Sequence, residues 1–508
     1  MKSSNWAVHP VVLAATFVLQ AALSNGLAPV AFARPMLVAV AAAAFVLGIL
    51  WIAVRDARIA GLFATGFLLL IISHDPVIHV LGAASEAFGT IGTIVGVALT
   101  LFVPITAMVI AVDQLRRGHL DPRMTRPATS ALNIFSLVLL AVVVLPAVPS
   151  IPSWFRAHDR PPVQLAGDPP PDVYVFLLDG YSRADELERQ FGIDNEPFLQ
   201  ELRARGFDVD ERSRSNYTYT SLTLTSLLSM DYVVDAVPGP LAESRLTRQL
   251  REAMASGAGP VAIRAAGYEI VATAAGWEGT SLRPLADRFL DRPELTDFER
   301  ALLARTWIPD VPPVPQDLFF DHLRARIDGI LDDAVGLSDE SGDAPVFALI
   351  HVPAPHLPIA FTPDGGQTTY DSRQYLAGRP SEFGHTSEEF ASAYAGSLSY
   401  LNRRVLETVD ALQASNDPPV IILMSDHGYN GDSPVHTAAM LHNLFAASTP
   451  GESGLLAPSP TPVNLIRAIL GAYTNVPAGP PREERFFTTH IAGSVGSYDL
   501  ALTEVTDP

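Results

Sequence analysis

The chain has 508 residues, 48% of them hydrophobic, a formal net charge of -20 and no cysteine. More than one core is expected at that length, and the missing thiols exclude disulfides, thiolate metal sites and a cysteine nucleophile. Residues 1–150 carry 8 Lys/Arg against 5 Asp/Glu and the remainder 26 against 49, so the second part repels a phosphate backbone and nucleic acid is not an expected partner.

Five apolar runs come first. Residues 35–54 and 88–112 hold no charged side chain and are long enough to cross about 30 Å of hydrocarbon. Residues 128–148 are similar, 6–23 are weaker because of His9 and Gln20, and 59–73 are short and need the continuation toward Val80. Arg55 and Arg58 follow the second run; Arg116, Arg117, Arg123 and Arg126 lie between the fourth and fifth. The positive-inside rule places both groups in the cytoplasm. The expected topology is N-in, five spans, and everything after Val148 outside. Reading 6–23 as a cleaved signal peptide removes one span and leaves that side unchanged. The runs have almost no internal charge of the kind that lines a transport path, which argues against a transporter.

The proline-rich stretch 146–171 (PAVPSIPSWFRAHDRPPVQLAGDPPP) has little periodicity and reads as a stiff tether. The expected domains are a membrane domain at 1–150, a tether at 151–171 and a catalytic domain at 172–508. Beyond the tether, VYVFLL, VFALIHV and VIILM are continuous hydrophobic runs, as buried parallel strands are, with amphipathic segments such as 197–205 and 388–414 between them. The expected fold is an α/β domain with a mostly parallel sheet covered by helices. Functional residues of such sheets gather past the carboxyl ends of the strands.

Each run leads into a polar cluster: LLDGYSR with Asp179, HVPAPHLP with His351 and His356, and MSDHGYNGD with Asp426 and His427. Two carboxylates and up to three imidazoles along one edge are a ligand set for Zn²⁺ or Mn²⁺. The hydroxyl-rich NYTYTSLTLTSLLSM at 216–230 begins as a turn and continues with helical spacing. A hydroxyl in its first turn sits at a positive dipole end that favours an alkoxide and an incoming anion, and a metal ion would lower its pKa further. Several of these hydroxyls merely cap or line the helix. Asn216-Tyr217-Thr218 is formally a glycosylation sequon, assigned here to the nucleophile turn.

DVYVFLLDGY, RSRSNYTYTSLTLTSLLSMDYV, HVPAPHLP, SYLNRRVLETVDAL and IILMSDHG, in this order over about 171–473, resemble the alkaline phosphatase and sulfatase superfamily, and within it the membrane-bound sulfatase-like hydrolases and transferases. Five spans before an outward catalytic domain are similar in architecture to lipoteichoic acid synthases and lipid A phosphoethanolamine transferases. The resemblance implies Thr220 as nucleophile and Asp179, Thr220, Asp426 and His427 as metal site, with one or two Mn²⁺ or Zn²⁺ ions. It also implies His356 as a contact to the transferred group or a second metal, and His351 and His436 as further substrate contacts, with His436 and His442 as looser candidates for the shell around them. Thr218 and Thr223 are the alternative nucleophiles. Two departures matter. The nucleophile region has no Cys/Ser-x-Pro-x-Arg, so sulfate ester hydrolysis through formylglycine is not expected. Asp179 stands where the lipoteichoic acid and phosphoethanolamine enzymes usually have Glu, and a full second ligand set is not legible. The function implied is a plasma-membrane, multi-pass phosphoryl-group transferase acting outside the cytoplasm on an envelope lipid or glycan. The alternatives are a phosphodiesterase or phosphatase, and an inactive envelope sensor or scaffold.

Overall fold

A computed structural model describes residues 6–73, 122–150, 169–237, 243–306, 318–340, 344–368, 386–429, 437–451, 454–492 and 499–506. The chain divides into two compact units, Met1–Arg156 with Asp297–Leu318, and Ala157–Thr296 with Phe319–Pro508.

The described N-terminal part of the first unit is built from helices His9–Ser24, Pro29–Val54, Ala57–Ile71 and Pro122–Val144. Two helical stretches, Pro29–Val54 and Thr125–Val148, are long and apolar enough to cross a membrane; His9–Ser24 and Ala57–Ile71 are shorter. The expected span at 88–112 lies outside the described residues. Leu37, Val38, Phe45, Trp51 and Ile52 on the first long helix, and Ile134, Phe135 and Val142 on the second, are exposed. A continuous exposed apolar face of this kind calls for a cover other than water. The Asp56 carboxylate caps Ala57–Ile71 by accepting from the Arg58 and Ile59 amides at 2.9 and 3.1 Å, which satisfies donors a helix start leaves open. The Asn133 amide ties the Pro122–Val144 helix to the chain start by accepting from the Val8 and His9 amides.

The second unit is organised on a seven-stranded sheet. Its strands are β1 (Val173–Leu178), β2 (Asp208–Val209), β3 (Glu269–Thr273), β4 (Arg288–Leu290), β5 (Val346–Val352), β6 (Val420–Met424) and β7 (Phe445–Ser448). They lie in the order β2-β7-β6-β1-β5-β3-β4. The five from β6 to β4 are parallel, while β7 and β2 add an antiparallel edge. Every residue of β1, β5 and β6 is buried. Along β1, Tyr174, Phe176 and Leu178 join one apolar cluster, and Val173, Val175 and Leu177 join the other. This two-residue alternation means both faces are covered. Helices Leu318–Ser338 and Ser387–Gln413 supply one cover; Thr220–Ser229 and Pro462–Tyr473 supply the other. The expected mostly parallel, helix-covered sheet is what the chain forms. Leu177 pairs with both His351 and Met424, so three strands end at one edge. A separate hairpin, β8 (Phe486–Ala492) and β9 (Asp499–Val505), follows.

Candidate active site

The site is built on the turn that follows β1. Gly180 there has φ +71°, and a Cβ on it would stand 3.2 Å from the His356 ring; only glycine takes that backbone with a ring so close. The wholly buried Asp179 binds the His356 segment through its backbone, donating to Val352 O and accepting from His356 N, both at 3.0 Å. Its Oδ2 accepts from His351 Nε2 at 2.9 Å and lies 3.5 Å from Thr220 Oγ1. Past the end of β6, Asp426 Oδ1 accepts from the Gly180 amide at 3.1 Å and from Ser425 Oγ at 3.2 Å. Asp426 Oδ2 stands 3.3 Å from His427 Nε2.

Two ring orientations are fixed by backbone carbonyls. His427 Nδ1 lies 2.8 Å from Gly428 O and His356 Nδ1 lies 2.8 Å from Leu357 O. A carbonyl can only accept, so each Nδ1 carries a proton in these contacts. For His427 this directs Nε2 to Thr220 Oγ1, 3.4 Å away. Rings surround His356, with centroids at 5.1 Å for Trp277, 5.6 Å for Tyr429 and 6.0 Å for His427.

Asp179, His356 and His427 each offer one ligand atom, and these atoms lie within 4.8 Å of one another. Asp179 Oδ1 and Asp426 Oδ2 are buried with no hydrogen-bond partner among the described residues. Such orphaned carboxylate oxygens are costly and rare. Burial alone would raise the Asp179 carboxyl, but His356, His351 and His427 outweigh it and hold the group below the ordinary carboxylate range. Anionic oxygens beside carbonyl-oriented imidazoles are what a Zn²⁺ or Mn²⁺ site requires, including the outer partners that aim its ligands. The residues fit the ion.

Thr220 opens a helix whose ten residues are all buried. Three of its hydroxyls are consumed locally, while the Ser226 Oγ is buried without a hydrogen-bond partner among the described residues. Thr225 donates to Ser221 O at 2.6 Å, Ser229 to Thr225 O at 2.5 Å and Thr223 to Asp426 O at 3.0 Å. Thr218 Oγ1 accepts from the Thr489 amide at 2.9 Å. Of the three threonines weighed as nucleophile, Thr220 is the one placed between Asp179 and His427.

The turn before it is gripped by the C-terminal region. Asn216 is wholly buried; it donates to Arg485 O at 3.1 Å, and its Oδ1 accepts from the Val463 amide at 2.9 Å. Tyr217 stacks on Phe487 with ring centroids 5.2 Å apart. The sequon is therefore interior to the fold. Asn216→Ala leaves the buried Val463 amide and the partly buried Arg485 carbonyl without these partners, at about 1–3 kcal/mol for the buried group, and loosens the turn. A thermal melt is expected to fall by several degrees, with turnover down on the order of 10²-fold through misplacement of Thr220.

The structure thus brings together Asp179, Thr220, His351, His356, Asp426 and His427. His436 lies outside the described residues. The His442 ring pairs with Glu186, Nδ1 to Oε1 at 2.8 Å. It also forms an Asp185–Glu186–His442 group, whose carboxylates are engaged by Arg183 and Arg189. Two site neighbours escape sequence reasoning. Trp277 faces both His356 and His351, the latter at 5.9 Å, and Tyr429 lies just past the Asp-His pair. Trp277 follows the carboxyl end of β3, where the strand-end rule applies once β3 is recognised. Its loop is clamped by the fully buried Arg326, which donates to Ala274 O at 2.7 Å and to Glu294 O at 2.5 Å.

Residues 260–456 match the family model described as Sulfatase, a segment that contains β3 to β7, His351, His356 and the Asp426–His427 pair. The matched segment, less than half of the chain, is similar to the sulfatases. No curated protein matches the sequence. Among solved structures, it is similar to the soluble domain of lipooligosaccharide phosphoethanolamine transferase A from Neisseria meningitidis: 13% identity, 61% of this chain and 90% of that chain covered, TM-score 0.40. For the integral membrane form of that transferase the values are 12%, 75%, 73% and 0.38. For a putative sulfatase from Bacteroides thetaiotaomicron they are 12%, 64%, 78% and 0.42.

Proposed function

We propose that this protein is a membrane-anchored, metal-dependent phosphoryl-group transferase that acts on an envelope lipid or glycan through Thr220. In this reading residues 1–150 are a five-span anchor, 151–171 a tether and 172–508 an extracytoplasmic catalytic domain in the plasma membrane's outer aqueous space. The observation that carries it is the Thr220 hydroxyl, 3.5 Å from Asp179 Oδ2 and 3.4 Å from His427 Nε2, beside two buried carboxylate oxygens without hydrogen-bond partners.

Asp179, His356, His427 and Asp426 would hold the one or two ions. A bound Zn²⁺ or Mn²⁺ supplies positive charge that acidifies a hydroxyl and polarises a phosphoryl oxygen. Thr220 Oγ1 attacks phosphorus as the bond from phosphorus to the departing alcohol oxygen breaks, and the hydroxyl proton ends on that alcohol. The helix N-terminus behind Thr220 favours the phosphoryl anion. An acceptor hydroxyl then attacks the phosphothreonine, and its proton restores the Thr220 hydroxyl. With water as acceptor the same residues make a phosphodiesterase or phosphatase. The orphaned carboxylate oxygens speak against an inactive scaffold, because burying them uncompensated only destabilises the fold.

The test is peptide mass spectrometry on the purified chain after incubation with a membrane lipid extract and Mn²⁺ or Zn²⁺. A phosphorus-containing adduct on Thr220, absent in Asp426→Ala, is the expected result, and its mass identifies the transferred group. An adduct on Thr218 or Thr223 instead would move the nucleophile. Absence of both adduct and bound metal would favour the sensor or scaffold.

A further inference from the structure

Helix Asp297–Ala304 (DFERALLA) is embedded in the chain of the second unit yet belongs to the first. Phe298 and Leu302 are four residues apart and so share one face. Both are buried in a cluster with Val18, Ala21, Ala22, Leu27 and Phe32, which come from the first two N-terminal helices and the turn between them. Glu299, 6% exposed, receives Nε of Arg34 at 2.5 Å and Nη2 as well, a bidentate pair. Arg34 is the only charged side chain in helix Pro29–Val54. Arg34 stands at the border of the uncharged run 35–54 with its side chain half exposed, and its carboxylate partner comes from this insert.

The position along the helix adds direction. Arg34 and Arg55 are 21 residues apart in sequence, or about 30 Å of helix, which is one hydrocarbon thickness. The positive-inside rule assigns Arg55 and Arg58 to the cytoplasmic face, so the Arg34 end faces outward.

We infer that helix Asp297–Ala304 is a fastening insert: it seats on the outward end of the first helical hairpin through Phe298, Leu302 and the Glu299–Arg34 pair. The catalytic chain is thereby joined to the anchor at a second place besides the tether. The inference concerns attachment and is independent of the reaction proposed above.

The test is a charge-swap cycle read by hydrogen exchange over residues 297–304 in the detergent-solubilised full chain. Arg34→Glu and Glu299→Arg, each alone, are expected to speed exchange about tenfold or more by freeing the helix, and the double variant to return it toward the original rate. Unchanged exchange in the single variants, or a double variant as fast as either single one, overturns the inference. Glu299→Gln gives the same reading should Arg34→Glu fail to insert: faster exchange supports the seat, and unchanged exchange overturns it.

Discussion

Asp179→Asn is expected to abolish metal binding and turnover together while leaving the fold intact. The carboxylate lies at the centre of the candidate site, bonded to His351, beside Thr220 and with one oxygen left without a hydrogen-bond partner. The variant keeps the volume but removes an anion that His356, His351 and His427 favour over its burial, so the metal-free protein should stay folded and melt somewhat lower than the unsubstituted one at neutral pH. Thermal melting with added Zn²⁺ or Mn²⁺ separates the two states. A ligand that binds only the folded chain stabilises it by about 2.7 kcal/mol at a hundred times its Kd, so the unsubstituted protein should melt higher with metal and Asp179→Asn should not respond. Turnover should fall by on the order of 10³-fold, the scale of losing a principal electrostatic contributor. Retention of the metal-induced shift would show that the ion, if bound, is held elsewhere.

Thr220→Ala should behave differently. Metal binding is expected to survive in large part, because Asp179, His356 and His427 keep their geometry. Turnover should nevertheless drop on the order of 10³-fold or more, since removing a nucleophile leaves only the contribution of the surrounding site. Thr220→Ser keeps a hydroxyl at the first turn and should retain measurable activity and form the covalent adduct. An alanine variant within tenfold of the original rate would exclude Thr220 as the attacking group. Metal titration, turnover and adduct detection on the two variants together distinguish ligand from nucleophile.

The elements legible in the sequence are those whose burial leaves a continuous signal. β1, β5 and β6 occupy the runs VYVFLL, VFALIHV and VIILM because strands covered on both faces have no polar alternation to blur their limits. Asp179, Asp426 and the histidines are legible because parallel strands deliver side chains to one edge. The two-residue β2, the three-residue β4 and the small-residue β7 (FAAS) are too short for any periodicity. With β3 unrecognised, Trp277 had no strand end to mark it. The residues alone do not separate the three threonines, because a hydroxyl-rich stretch looks the same at each register; in the fold, Thr218 and Thr223 meet backbone groups, whereas Thr220 meets the Asp179 and His427 side chains. Helix Asp297–Ala304 reads as an ordinary amphipathic segment of the catalytic half, because sequence proximity hides which unit its apolar face packs against.

The helix Thr220–Ser229 is buried along its whole length. With no residue at the surface, it has no face along which a substitution escapes notice, since a packed interior transmits even one methylene of change. Descendants of this protein that take on new substrates would have to change elsewhere, in the loops carrying residues such as Trp277 and Tyr429, where variation is better tolerated. The reacting end is then the inherited, invariant part of the machine, and selectivity is the part left open to evolutionary trial.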